Sequence, residues 1–135
     1  VNARGIRLDI QDENETDQEA GMEIVDLKAA EEFSPHHHVH KSLTATPRSD
    51  ISIACWEPGQ TSPIHHHPGA DEIYHIIEGT GLFNDGRKEQ KLGPGSTVIF
   101  PAGEAHQVTA LTRMVLYRVQ AGADRHPESL NAWPA

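Results

Sequence analysis

Between residues 58 and 103 glycine and proline recur at such short intervals that a long helix has little room to form. From residue 23 onward the chain reads as short β segments, the clearest being Ile51–Glu57, Ile64–His67, Glu72–Glu78, Thr80–Asn84, Ser96–Phe100, Ala105–Thr109 and Arg113–Val119. Turn signals stand between them at Pro58-Gly59, Pro68-Gly69, Asn84-Asp85-Gly86, Gly93-Pro94-Gly95 and Pro101-Ala102-Gly103, where glycine supplies positive φ and proline a pre-set one. Many short strands at this spacing predict an all-β barrel or jelly roll. Asn84-Asp85-Gly86 has the composition of a hairpin tip. Helix is expected only as one turn over Asp26–Glu32. The chain divides into an acidic, mobile arm over 1–22, a barrel over 23–121 and an irregular tail over 122–135.

At 135 residues the sequence suits one domain with a core large enough to do without disulfides. Cys55 is the single cysteine, which rules out an intrachain disulfide and CxxC chemistry and fits a reducing compartment. No apolar run approaches the roughly 20 residues that span a bilayer, and no basic-then-apolar leader opens the sequence. A soluble, cytoplasmic protein is expected; the start at Val1 leaves open whether a leader preceded it. The net charge is −9, and ten acids against Arg4, Arg7 and Lys28 put most of it in residues 1–32. Such a chain repels phosphate backbones, which argues against nucleic acid as a partner. The acidic stretch reads as a solvated arm.

Ten histidines are the unusual quantity, since imidazole is the commonest protein ligand for transition metals. In a strand, residues two apart share a face. His65 and His67 therefore point together, and His66 points away. After the Pro68-Gly69 turn, Glu72 opens the next strand and shares its face with Tyr74 and Ile76, while Ile73, His75 and Ile77 take the other. A later strand, entered through Pro101-Ala102-Gly103, brings in His106. Three imidazoles and a carboxylate converging in a barrel make a mixed N/O site for a divalent metal.

The remaining candidates separate by position. In His36-His37-His38-Val39-His40 only alternate rings can face one way, and no carboxylate accompanies them. An exposed loop or edge is expected there, with a segment across the barrel mouth, or one reaching a partner subunit, as the sharper alternatives. Asp71 adjoins Glu72 and replaces it as a ligand only if the turn shifts register. Cys55 reads as a small core residue beside Ile51 and Ile53. Tyr74, two residues past Glu72, enters the same cavity as a hydrogen-bonding, acid or base group, or packs in the core. Arg118 binds a carboxylate if it faces inward; Met114-Val115-Leu116-Tyr117 is apolar on both sides and leaves its face open.

These residues carry a specific resemblance. Gly59, five residues, His65-His66-His67, four residues, Glu72, six residues and Gly79 match the first motif of the cupin superfamily. Gly95, five residues, Pro101-Ala102-Gly103, two residues and His106 match the second, with Ala110 standing where the family has Asn. The chain thus resembles a compact, single-domain microbial cupin. The resemblance implies a double-stranded β-helix (jelly-roll) barrel, usually a homodimer, with one divalent transition metal (Fe, Mn, Ni, Cu or Zn) on His65, His67, Glu72 and His106. A dimer is also expected because the face carrying Ile73, His75 and Ile77 is too apolar to leave bare.

Four protein ligands leave an octahedral ion two positions for water, substrate or dioxygen. That implies a metal-dependent enzyme acting on a small oxygen-rich molecule, with Tyr74 as the catalytic candidate and dioxygenase chemistry ahead, since similar compact cupins often have it. Decarboxylases, isomerases, lyases and cyclases share the ligand set, and a cupin that binds a metal or small ligand without turnover is the other class.

Overall fold

The computed structural model describes residues 21–122 and 127–134; most of the acidic arm and His126 lie outside them. One helical turn, α1 (Leu27–Ala30), precedes ten strands: β1 (Val39–Thr46), β2 (Ser49–Trp56), β3 (His65–His66), β4 (Ala70–Glu78), β5 (Gly81–Asn84), β6 (Glu89–Leu92), β7 (Thr97–Phe100), β8 (Gln107–Ala110), β9 (Met114–Gly122) and β10 (Glu128–Ser129). The strands form sheets of order β1-β2-β9-β4-β7, β6-β5-β8 and β10-β3, and every pairing is antiparallel. This is the expected all-β jelly roll. Among the described residues no helix is long and apolar enough to cross a membrane.

Alternation along β4 sets the plan of the interior. Ala70, Glu72, Tyr74 and Ile76 are buried, while the residues between them are not, so one face of the central strand lines the barrel. The barrel core packs Tyr74, Ile76, Phe83, Phe100, Met114 and Leu116 with Trp56 and Val108. A second cluster lies on the reverse face of the same sheet. There Leu43, Ile53, Cys55 and Val115 meet Ala30, with Val25, Leu27, Phe33 and Ile77 packed against them. The helical turn serves this cover. Asp26 caps it by accepting from Ala29 N at 3.1 Å, and Ala30 is fully buried. Cys55 is the core residue its neighbours suggest. Ile77, expected on a bare face, instead belongs to this covered one.

Two elements were not anticipated, the body of β1 and β10 in the tail expected to be irregular; the polar strand β6 is the second arm that the hairpin tip implies. Glu128 and Ser129 pair with His66 and His65, and Leu130 N donates to Ile64 O at 2.8 Å. The β5–β6 hairpin turns where the sequence indicates. Asp85 Oδ1 accepts from Arg87 N at 2.9 Å and Lys88 N at 3.0 Å. Trp133 lies over that tip, close enough that a Cβ at Gly86 would come within 2.8 Å of its ring.

Gly79 and Gly95 both have positive φ, +82° and +91°, yet their surroundings differ. A Cβ on Gly95 meets open space, whereas one on Gly79 would sit 1.9 Å from Arg113 O. Gly95→Ala should cost about 1–2 kcal/mol, the strain of the left-handed region. Gly79→Ala should cost distinctly more, because backbone has to move. Denaturant unfolding of both variants beside the parent checks the order, and equal losses would contradict this account of Gly79.

Candidate metal centre

The four side chains singled out in the sequence come from three segments of the barrel wall. His65 lies on β3 and His67 just beyond it. Glu72 is on β4 and His106 immediately precedes β8. The backbones of His65 and His106 form a bridge, with His65 N donating to His106 O at 3.1 Å and His106 N to His65 O at 2.9 Å. The two motif loops are also joined. Gly103 N donates to His67 O at 2.9 Å and Ala102 N to Asp71 Oδ1 at 2.9 Å. Asp71 is therefore an exposed anchor for the Pro101–Gly103 loop, and Glu72 is the carboxylate that faces inward. One ligand atom from each of His65, His67, Glu72 and His106 can be chosen so that all four lie within 4.8 Å of one another.

Hydrogen bonds prepare two of the imidazoles as donors to a metal. His65 Nδ1 lies 2.9 Å from Pro63 O, and His106 Nδ1 lies 3.0 Å from Glu104 O. A carbonyl can only accept, so Nδ1 carries the proton in both rings and the lone pair of each neutral ring is on Nε2. His106 is held further by stacking on Phe100, with centroids 4.2 Å apart and planes 8° from parallel. Burial, followed by the neighbouring His65, drives the His106 pKa down to about 4. Burial is also the main cause lowering His65.

Glu72 is almost wholly buried. Burial works to raise its carboxyl pKa, but contact with His67 and the Arg118 guanidinium outweigh it and hold the group below the ordinary carboxylate range. Arg118 Nη1 stands 2.9 Å from Glu72 Oε2, and His106 Nε2 stands 3.8 Å from Oε1, which also touches His67 Nε2. Both His67 ring nitrogens and His106 Nε2 are buried without a hydrogen-bond partner, and the Glu72 oxygens are met by ion pairs alone. An unsatisfied buried polar group costs about 1–3 kcal/mol. Several at one point, against a total stability of about 5–15 kcal/mol, suit a place where an ion completes the set. The residues fit a divalent metal.

Beside the ligands is a cavity of about 220 Å³, lined in part by His65, His67, Tyr74 and Arg118. Tyr74 does enter it as expected, its ring set among Phe83, Phe100 and His106. Burial and then the Glu72 charge push its phenol well above 10, so it stays protonated and serves as a hydrogen-bond donor. Arg118 faces inward, opposite Tyr74 in the β4–β9 register. The histidine run divides. His36, His37 and His40 are exposed and His38 half-buried, yet His38 and His40 both line the cavity, so the run contributes to the barrel mouth. His38 stacks on Trp56 at 4.0 Å and 7°. His66 turns away to Glu128 Oε1 at 2.9 Å, and His75 bonds Thr97 Oγ1 at 2.9 Å on the outer face.

A family model described as a cupin domain matches residues 52–128, more than half of the sequence. This protein belongs to the cupin family. Over 66 residues, 44% of the chain and 39% of the relative, the cupin is 39% identical to an acireductone dioxygenase of Rhodopseudomonas palustris. Over 51 residues, 38% of the chain and 42% of the relative, it is 35% identical to an oxalate-binding protein of Thermotoga maritima. The chain spans less than half the length of the curated relatives it matches. Among solved structures, an uncharacterised protein with a double-stranded β-helix domain from Klebsiella pneumoniae superposes with a TM-score of 0.74. It is 18% identical, and the match covers 81% of this chain and 97% of that one.

The neutral rings at the cavity give the cupin an acid limit. Burial above all, then His37 and His65, lowers His38 from 6.5 to about 4. Between those values the unfolded chain binds more protons than the folded one, so stability falls as pH drops from about 6.5 to about 4. Thermal unfolding of metal-free protein across that range should show the decline, and His38→Gln should make it shallower. A flat profile would contradict the burial of His38 and His106.

Proposed function

We propose that this cupin binds one divalent transition metal on His65, His67, Glu72 and His106 and uses it to act on a small oxygen-rich molecule, with dioxygenase chemistry the leading reaction. The observation that carries the reading is the convergence of these four donors, most of them buried without hydrogen-bond partners, beside a cavity of about 220 Å³. That volume is below the roughly 300–1,000 Å³ of pockets for drug-sized ligands and suits a small metabolite. Similarity to an acireductone dioxygenase over part of the chain supports the choice of reaction.

A bound metal supplies Lewis acidity and a template for substrate and dioxygen. The chain's own residues do the rest. Arg118 keeps the Glu72 carboxylate ionised and oriented. The Pro63 and Glu104 carbonyls fix the proton on Nδ1 of His65 and His106. Tyr74 presents a hydroxyl that can donate to negative charge on a ligand in a site shielded from water. Similarity to an oxalate-binding protein favours a second reading, in which the same centre binds a small oxyanion without turnover. Dioxygen uptake across a panel of enols, phenols and keto acids separates the two.

Metal analysis of untagged protein should give one ion per chain. His67→Ala or His106→Ala should abolish loading, and the double change His36→Ala with His38→Ala should leave it intact. Metal lost through the latter pair alone would overturn the assignment. Tyr74→Phe should keep the metal and weaken ligand binding or turnover by about 1–3 kcal/mol. Unchanged behaviour would return Tyr74 to a packing role.

We infer a homodimer as well. On the outer face Ile51, Val119, Ile73 and Ile99 stand in register across four strands, and Ile99 is 60% exposed. Light scattering at micromolar concentration should give twice the chain mass, and a monomer would contradict this.

A further inference from the structure

We propose that His38 and His40 form, with Arg118, a recognition wall of the metal cavity, and that the substrate is a small anion with two ends, one chelating the metal and the other held by this wall. The inference rests on the metal-centre reading above and names the ligand class it would serve.

The wall and the metal centre come from different strands. The candidate ligands lie on or next to β3, β4 and β8. His38 and His40 lie at and before the start of β1, Trp56 ends β2, and Arg118 is on β9. His38 and His40 nevertheless line the same cavity as His65 and His67. The ring of His38 is fixed by its stack on Trp56, 4.0 Å away and 7° from parallel. Among the described residues neither imidazole has a side-chain hydrogen-bond partner, although a neutral imidazole offers one donor and one acceptor. His38, held on Trp56 with its polar atoms unused, is suited to a ligand, and His40 reaches the same cavity from the exposed start of β1.

Charge sets the class of that ligand. Glu72 is the single anionic group in the ligand set, and Arg118 already faces it at 2.9 Å. With a dication added, the centre carries a formal excess of two positive charges. A cavity with that excess draws anions. Its size holds the ligand to a few heavy atoms beyond the chelating group. Arg118 supplies charge for the second end, and His38 and His40 supply direction.

The test compares two probes on metal-loaded full-length protein: oxalate, which has no atoms beyond its chelating pair, and 2-oxoglutarate, which carries a second carboxylate. The variants are His38→Phe, which keeps a flat ring on Trp56 and removes the nitrogens, and His40→Ala. Metal content is measured beside calorimetric affinity, and circular dichroism verifies the barrel. Each variant should keep its metal, lose about tenfold or more in affinity for 2-oxoglutarate, and change by less than about twofold for oxalate. Unchanged affinities, equal losses for both probes, or a parent that binds 2-oxoglutarate no better than oxalate would overturn the wall while leaving the metal centre standing. A parent that takes up no metal would overturn both, because the chelating end would have nothing to bind.

Discussion

A carboxylate sealed inside a barrel has to be met by positive charge, because burying it alone costs several kcal/mol. Glu72 is that carboxylate, and the pairing of β4 with β9 answers it. The register sets Tyr74 opposite Arg118 and Glu72 opposite Gln120, and the guanidinium reaches across to Glu72 Oε2. A slip of one residue would turn Glu72, Tyr74 and Ile76 outward and bring Ile73, His75 and Ile77 inside. Polar and apolar demands therefore select the same register. The bridge between His65 and His106 then joins the two smaller sheets to each other.

Much of the site was legible because its spacing is local. His65 and His67 share a face by strand periodicity alone, and the same rule places Tyr74 beside Glu72. The cupin motifs add His106, whose position depends on a turn that the Pro101–Gly103 sequence announces. Arg118 was not legible. Its strand is covered on both sides, by the barrel core within and by residues 25–33 without, so the run before it is apolar on both faces and shows no alternation. A central strand loses its pattern for this reason.

The histidine run and the tail were unreadable for a different reason. Residues 39–46 include Lys41, Ser42 and two threonines, and acquire their structure by pairing with β2. Residues 128–129 have no strand signal of their own and are ordered by β3, more than sixty positions earlier. Such long-range pairings leave no mark on local composition. The effect is that His38, His40 and Ser129 reach the cavity from segments whose sequence reads as loop.

The tail segment has an evolutionary consequence. Pro127 and Ser129 form part of the cavity lining, yet they lie next to and on a two-residue strand attached along the edge of β3 rather than woven into either larger sheet. Side chains there can change without disturbing the strands that hold Glu72 and His106, provided the backbone pairing of Ser129 with His65 is kept. A lineage of such barrels can therefore vary the rim of the cavity while Glu72 and His106 keep their places, with change confined to the margin of the fold.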